Sequence, residues 1–283
     1  MTVRLVLTVA ALTLREASRR RVLRSLAALT VVLLALSAWG FSRINAEFSG
    51  LTSGEARIVA SIVLNLVMFG LSLISALGTA FLAGPTLAGE VESGIALAVL
   101  ARPVRRHTVL LGKWLGLVTF AGGFVAIAGL AQLLIVRVTV GYWPPHPAVG
   151  LGLLVAQAMV LLTLGLLLST AISPMASGVV AVGLFGATWV AGVVGAAGEA
   201  FGYDSIARVG TVSRVLLPTD GLWRGAMNAF QDPTLLLMFS TEGFEGHPFL
   251  SPAPITPAYL GWAGLWVALI LGLAGLAFQR RDI

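Results

Sequence analysis

Cysteine is missing from all 283 residues. That excludes a disulfide framework, a thiolate-bound metal and a cysteine nucleophile. Charge is scarce as well: Asp, Glu, Lys and Arg make up 11% of the chain, against about a quarter in a soluble domain. The three histidines, His107, His146 and His247, lie on separate segments with no paired ligand at metal-binding spacing, so no zinc or copper site is expected. A phosphate-binding loop is also lacking. LGKW at 111–114 has the Gly–Lys pair but neither the earlier glycine nor the following Ser or Thr. Nucleotide hydrolysis by that route is excluded, and no cofactor is expected in this chain.

What fills the chain is apolar: 58% of the residues are hydrophobic, and uncharged stretches of 18 residues or more recur. Such a stretch, as a helix, crosses about 30 Å of hydrocarbon. The runs are continuous rather than alternating, so the backbone satisfies itself in helices and not in a barrel. The fold class expected is all-α, a polytopic membrane protein with six transmembrane helices at about 25–42, 58–83, 112–136, 149–171, 178–198 and 258–278. The fourth and fifth come from one uncharged run between Arg137 and Glu199, broken at STAISPMASG by Pro174.

Basic residues orient these spans. With the N-terminus inside, the inner segments hold twelve: Arg4, Arg15, Arg19, Arg20, Arg21, Arg24, Arg102, Arg105, Arg106, Lys113, Arg280 and Arg281. The outer segments, which are longer, hold six: Arg43, Arg57, Arg137, Arg208, Arg214 and Arg224. The asymmetry predicts both termini in the cytoplasm of a plasma (inner) membrane protein. It also accounts for the net charge of +6 without a nucleic-acid partner. The opening MTVRLVLTVAALTLREASRRRVLR has its arginines after the apolar stretch and no small-residue cleavage site, so no cleaved leader is expected.

Residues 1–24 read as an element of their own. Arg4, Thr8, Arg15 and Arg19 share one helical face, while Val3, Leu5, Leu7, Leu12 and Leu14 cover much of the rest. This is the pattern of an amphipathic helix lying on membrane lipid; an ordinary, partly ordered basic flank is the alternative. On the outer side, Tyr142 and Trp143 are candidate membrane-interface anchors, as Lys113 is on the inner side. Residues 199–257 form a long extracytoplasmic excursion. Within it Thr219 or Asp220 can cap a short helix whose Leu222, Trp223, Ala226 and Phe230 recur at helical spacing. That helix is expected against the outer leaflet or the spans, with Trp223 at the interface. EGFEGHPFLSPAPITP after it is turn-rich.

The spans carry no Asp, Glu or Arg away from their ends, which argues against an intramembrane enzyme and against ion-coupled transport. Asn65, Gln132 and Gln157 are the main polar groups at depth and are expected to hydrogen-bond between helices. Gly183, Ala187, Ala191 and Gly195 form a small-residue seam that allows a close helix contact, within one chain or between two.

Two carboxylates, three arginines and a lysine gather in GEVESGIALAVLARPVRRHTVLLGKW, residues 89–114. Residues 84–111 form a cytoplasmic loop whose first part can be helical up to Arg102, before Pro103. It is either a docking surface or a connector whose charges set topology. This stretch resembles the segment after the second span in type-2 ABC exporter permeases. The matching positions are Glu90, Glu92, Ser93, Gly94, Leu97, Leu100, Arg102, Pro103, Arg105, Arg106, Gly112 and Lys113. The basic N-terminal helix, the six spans, the excursion before the last span and the closing FQRRDI are similar too. LLPTDGLWRGAMNAF is similar to the NPTD stretch of the permeases serving nitrous oxide reductase maturation, with Leu217 in place of the Asn.

The resemblance implies a permease that is no enzyme itself. It would pair with a second copy or a related permease, and with two copies of a separate ABC ATPase that binds ATP and Mg. Glu90, Glu92, Gly94, Arg102, Pro103, Arg105 and Arg106 would form the ATPase-coupling surface, helped by the N-terminal helix. The alternatives are a non-transporting membrane interaction or regulatory subunit and, with less in its favour, a lipid-modifying enzyme.

Overall fold

The computed structural model describes residues 2–47, 53–92, 106–234 and 249–280. Among these residues the chain forms nine helices: α1 (Thr2–Ala17), α2 (Arg21–Glu47), α3 (Ser53–Glu92), α4 (Arg106–Val140), α5 (Pro147–Ser169), α6 (Pro174–Ala200), α7 (Asp204–Leu216), α8 (Thr219–Phe230) and α9 (Pro257–Arg280). Six of them, α2 to α6 and α9, are long and apolar enough to cross a bilayer. The protein is an all-α, six-span membrane protein.

The sequence sets the ends of these helices locally. Pro147 and Pro174 each occupy the first turn of a helix, where a missing N–H costs nothing. The uncharged run from 138 to 198 is thereby cut at residues 170–173. Helix α5 is apolar all round, and it takes the centre of the bundle, packed against α3, α4, α6, α8 and α9. Helix α3 carries Pro85 inside it and continues to Glu92, so the first part of the expected 84–111 loop is an extension of this span.

Two further elements lie beside the spans. Helix α1 crosses α4 where a Cβ on Gly112 would stand 2.6 Å from Val9 Cβ, and one on Gly116 would stand 2.5 Å from the Ala10 carbonyl. Only glycine admits a backbone that close. Ala10, Thr13 and Ala17 form the buried side of α1, while Val3, Leu5, Leu7 and Leu12 remain exposed.

Helices α7 and α8 make a hairpin that turns back between the spans. Gly210 of α7 meets Gly195 of α6, and Ala207 meets Gly198, so α7 descends antiparallel to α6. At the tip the Thr219 hydroxyl lies 3.0 Å from that of Thr188. Thr188 stands twelve residues before the end of the 27-residue α6, about 18 Å along its axis and near its midpoint. The segment read as an outer excursion therefore turns back to the level of the midpoint of a spanning helix. Gly195, at one end of the small-residue seam, makes its close contact within the chain, whereas Gly183 meets nothing within 4 Å.

Candidate functional site

The hairpin tip brings charge to a depth where the spans have none. The Nε of Arg214, in the last turn of α7, and the Nε of Arg224, in α8, both donate to Asp220 Oδ2, at 3.2 and 3.0 Å. Asp220 is 3% exposed. Arg224 Nη2 also donates to the Gly192 carbonyl of α6 at 2.7 Å, tying α8 to a span. Arg214 Nη2 is enclosed and donates to none of the described residues. One carboxylate thus faces two guanidiniums, leaving the group one positive charge in excess. Ionisable side chains at such depth are costly, face the protein interior and mark functional positions.

Two polar systems hold this tip in place. Ser72 donates to Gln157 Oε1 at 2.8 Å, and Gln157 Nε2 donates to the Thr219 carbonyl at 3.2 Å, linking α3 and α5 to the first turn of α8. On the other side, α9 closes the C-terminus of α7. Tyr259 Oη donates to the Arg214 carbonyl at 3.0 Å. Trp262 Nε1 donates to Val215 O at 3.1 Å, and Trp266 Nε1 to Leu216 O at 2.8 Å. The last carbonyls of a helix have no partner within it, and hydrocarbon offers no water to replace one. The three aromatic donors recur at i, i+3 and i+7 along α9, and that spacing was the sequence signal for the contact.

The end of the bundle above the tip is closed by a second set of residues. Tyr142 is 1% exposed and its hydroxyl donates to the Phe230 carbonyl at 2.7 Å, at the end of α8. Burial and the charge of Asp232 push this phenol well above its usual range, so it remains a donor. Trp223, also 1% exposed, packs against Phe69, which stacks on Trp189 at 4.8 Å. Of the three aromatics read as interface anchors, Tyr142 and Trp223 are inside the bundle and offer lipid no ring surface. Trp143 is 37% exposed, with the Arg137 guanidinium 5.1 Å from its ring centre. Asn65, Gln132 and Gln157 do bond between elements, Asn65 to Phe249 O and Gln132 to Ser37 Oγ.

At the opposite end of the bundle the cations behave differently. Lys113 is buried within the protein, and its Nζ donates to the Thr86 carbonyl of α3 at 2.9 Å. Arg106 Nη1 donates to the Phe278 and Gln279 carbonyls at the end of α9, at 3.2 and 3.3 Å. Arg4 and Arg15 on α1 and Arg19 in the turn after it are exposed. Glu90 and Glu92 belong to the last turns of α3. Gly94, Arg102, Pro103 and Arg105 lie outside the described residues.

Fold and composition define a multi-pass α-helical membrane protein. Neither a model of a known protein family nor the sequence of a curated protein matches the chain.

Proposed function

We propose that this chain is the membrane subunit of an ATP-driven ABC exporter, forming the translocation path as a dimer and coupled to two copies of a separate ATPase. The observation that carries the reading is the docking of α1 across Gly112 and Gly116. It gathers the arginine-bearing N-terminal helix, the end of α3 and the Arg106–Lys113 turn of α4 at one end of the bundle. The resemblance of residues 89–113 to exporter permeases supports the same assignment. In this reading that end faces the cytoplasm together with both termini, α1 rests on the inner leaflet, and Glu90, Glu92, Gly94, Arg102, Pro103, Arg105 and Arg106 meet the ATPase. The chain brings no phosphate-binding loop, so the free energy comes from the partner. ATP-driven closure of the partner rocks the permease pair between inward- and outward-facing arrangements, and cargo must bind the two with different affinity.

The test is ATP-driven flux in proteoliposomes containing this chain and the ATPase that copurifies with it. Arg105→Glu combined with Glu90→Arg is expected to insert normally and to abolish flux. Arg106 is left intact, because its guanidinium also holds the end of α9. Undiminished flux by a well-expressed variant overturns the coupling assignment. Orientation is tested with single cysteines at Ser93 and at the exposed His107. Both are expected to resist an impermeant thiol reagent applied to intact cells, and rapid labelling from outside reverses the topology.

A further inference from the structure

We propose that the tip of the α7–α8 hairpin is a recognition site for one anionic headgroup, a phosphate or a carboxylate, held by Arg214 and Arg224. The charge count gives the first reason. Both Nε bonds converge on the single oxygen Oδ2 of Asp220, so two guanidiniums share one carboxylate. Their side chains keep only 23% and 15% of their surface, and a partly buried cation without a full counter-charge is unfavourable. An anion brought by a ligand removes that excess.

Hydrogen bonding gives the second. Arg224 Nη2 is occupied by the Gly192 carbonyl, whereas Arg214 Nη2 is enclosed and has no acceptor among the described residues. A guanidinium is a planar fork suited to two oxygens of an oxyanion, and Asp220 engages only its Nε. The Arg214 side chain keeps 23% of its surface, so an anion can meet the guanidinium beside Asp220 although Nη2 itself is enclosed. The inference stands on the hairpin alone and does not depend on the exporter reading.

The experiment uses the full chain in dodecyl maltoside, without any ATPase. Its thermal unfolding midpoint is followed against dodecyl phosphate, inorganic phosphate and dodecyl trimethylammonium. A ligand that binds the folded chain raises the midpoint saturably. Dodecyl phosphate is expected to do so and the cationic amphiphile is not. A matching response to inorganic phosphate assigns the site to free anions; a response to the dodecyl ester alone assigns it to amphiphiles. Arg214→Gln is expected to raise the half-saturating concentration about tenfold or more, the worth of one charged hydrogen bond. Arg214→Lys, which keeps the charge but not the fork, is expected to fall between. Asp220→Asn frees both arginines and is expected to bind tighter. Glu199→Gln changes net charge equally at the exposed end of α6 and is expected to change nothing. No saturable response to either anion overturns the proposal. So do half-saturation values indistinguishable between the native chain and both Arg214 variants, and an equal effect of Glu199→Gln and Asp220→Asn.

Discussion

The two ends of α9 meet one problem and solve it with different chemistry. At its C-terminus, beside α4, the last carbonyls are met by the Arg106 guanidinium; nearby, Lys113 does the same for Thr86. In the hairpin, the last carbonyls of α7 are met by a phenol and two indoles from α9. Arg106 is half-buried and keeps part of its hydration. Beside the hairpin two guanidiniums already share one carboxylate, so neutral donors suit its carbonyls. The arginines that do enter the hairpin are directed chiefly to Asp220. Local charge thus selects the donor.

The largest effect is expected where that rule is broken outright. Asp220→Ala leaves two guanidiniums without their carboxylate and should lower stability by about 3–5 kcal/mol, read as a fall in the unfolding midpoint in mild detergent. Gly116→Val forces a side chain into the Ala10 carbonyl, so α1 must move off α4, at about 1–3 kcal/mol. Hydrogen exchange should then rise in α1 and stay unchanged in α8. Trp266→Phe keeps an aromatic ring but removes the donor to Leu216 O, and about 1–2 kcal/mol is expected. Lys113→Arg keeps a cationic donor for the Thr86 carbonyl and should cost less than Trp266→Phe, about 1 kcal/mol or below. A Lys113→Arg loss exceeding the Trp266→Phe loss would invert the comparison between the two ends.

The spans were legible because length and the lack of charge are local properties, readable from any window of the chain. Pro174 also marked its break locally. The hairpin was not legible. DSIARVGTVSRVL is short and carries two arginines, and nothing within it records that Gly195 and Gly198 leave room for it beside α6. Its charges therefore counted as outer charges, and the absence of ionisable groups in the spans understated what lies at depth. Helix α8 was recognised by the spacing of its apolar residues, yet that spacing is the same whether the face meets lipid or protein. The contacts of Trp223 with Phe69 decide it for protein. The burial of Lys113 was not legible for a related reason. Its sequence neighbourhood fits an interface, while one acceptor it meets is a carbonyl 27 positions earlier.

Helix α9 is pinned near both extremities, by Arg106 below and by α7 above. A shift of its register by one residue would swing each side chain through about 100° and pull both indoles from their acceptors. Sliding or spinning in place is therefore closed to it, and it behaves as a strut. A displacement of the Arg106 turn is expected to tilt this strut as a whole and to move the hairpin with it, so the two ends of the bundle are mechanically joined through a single helix.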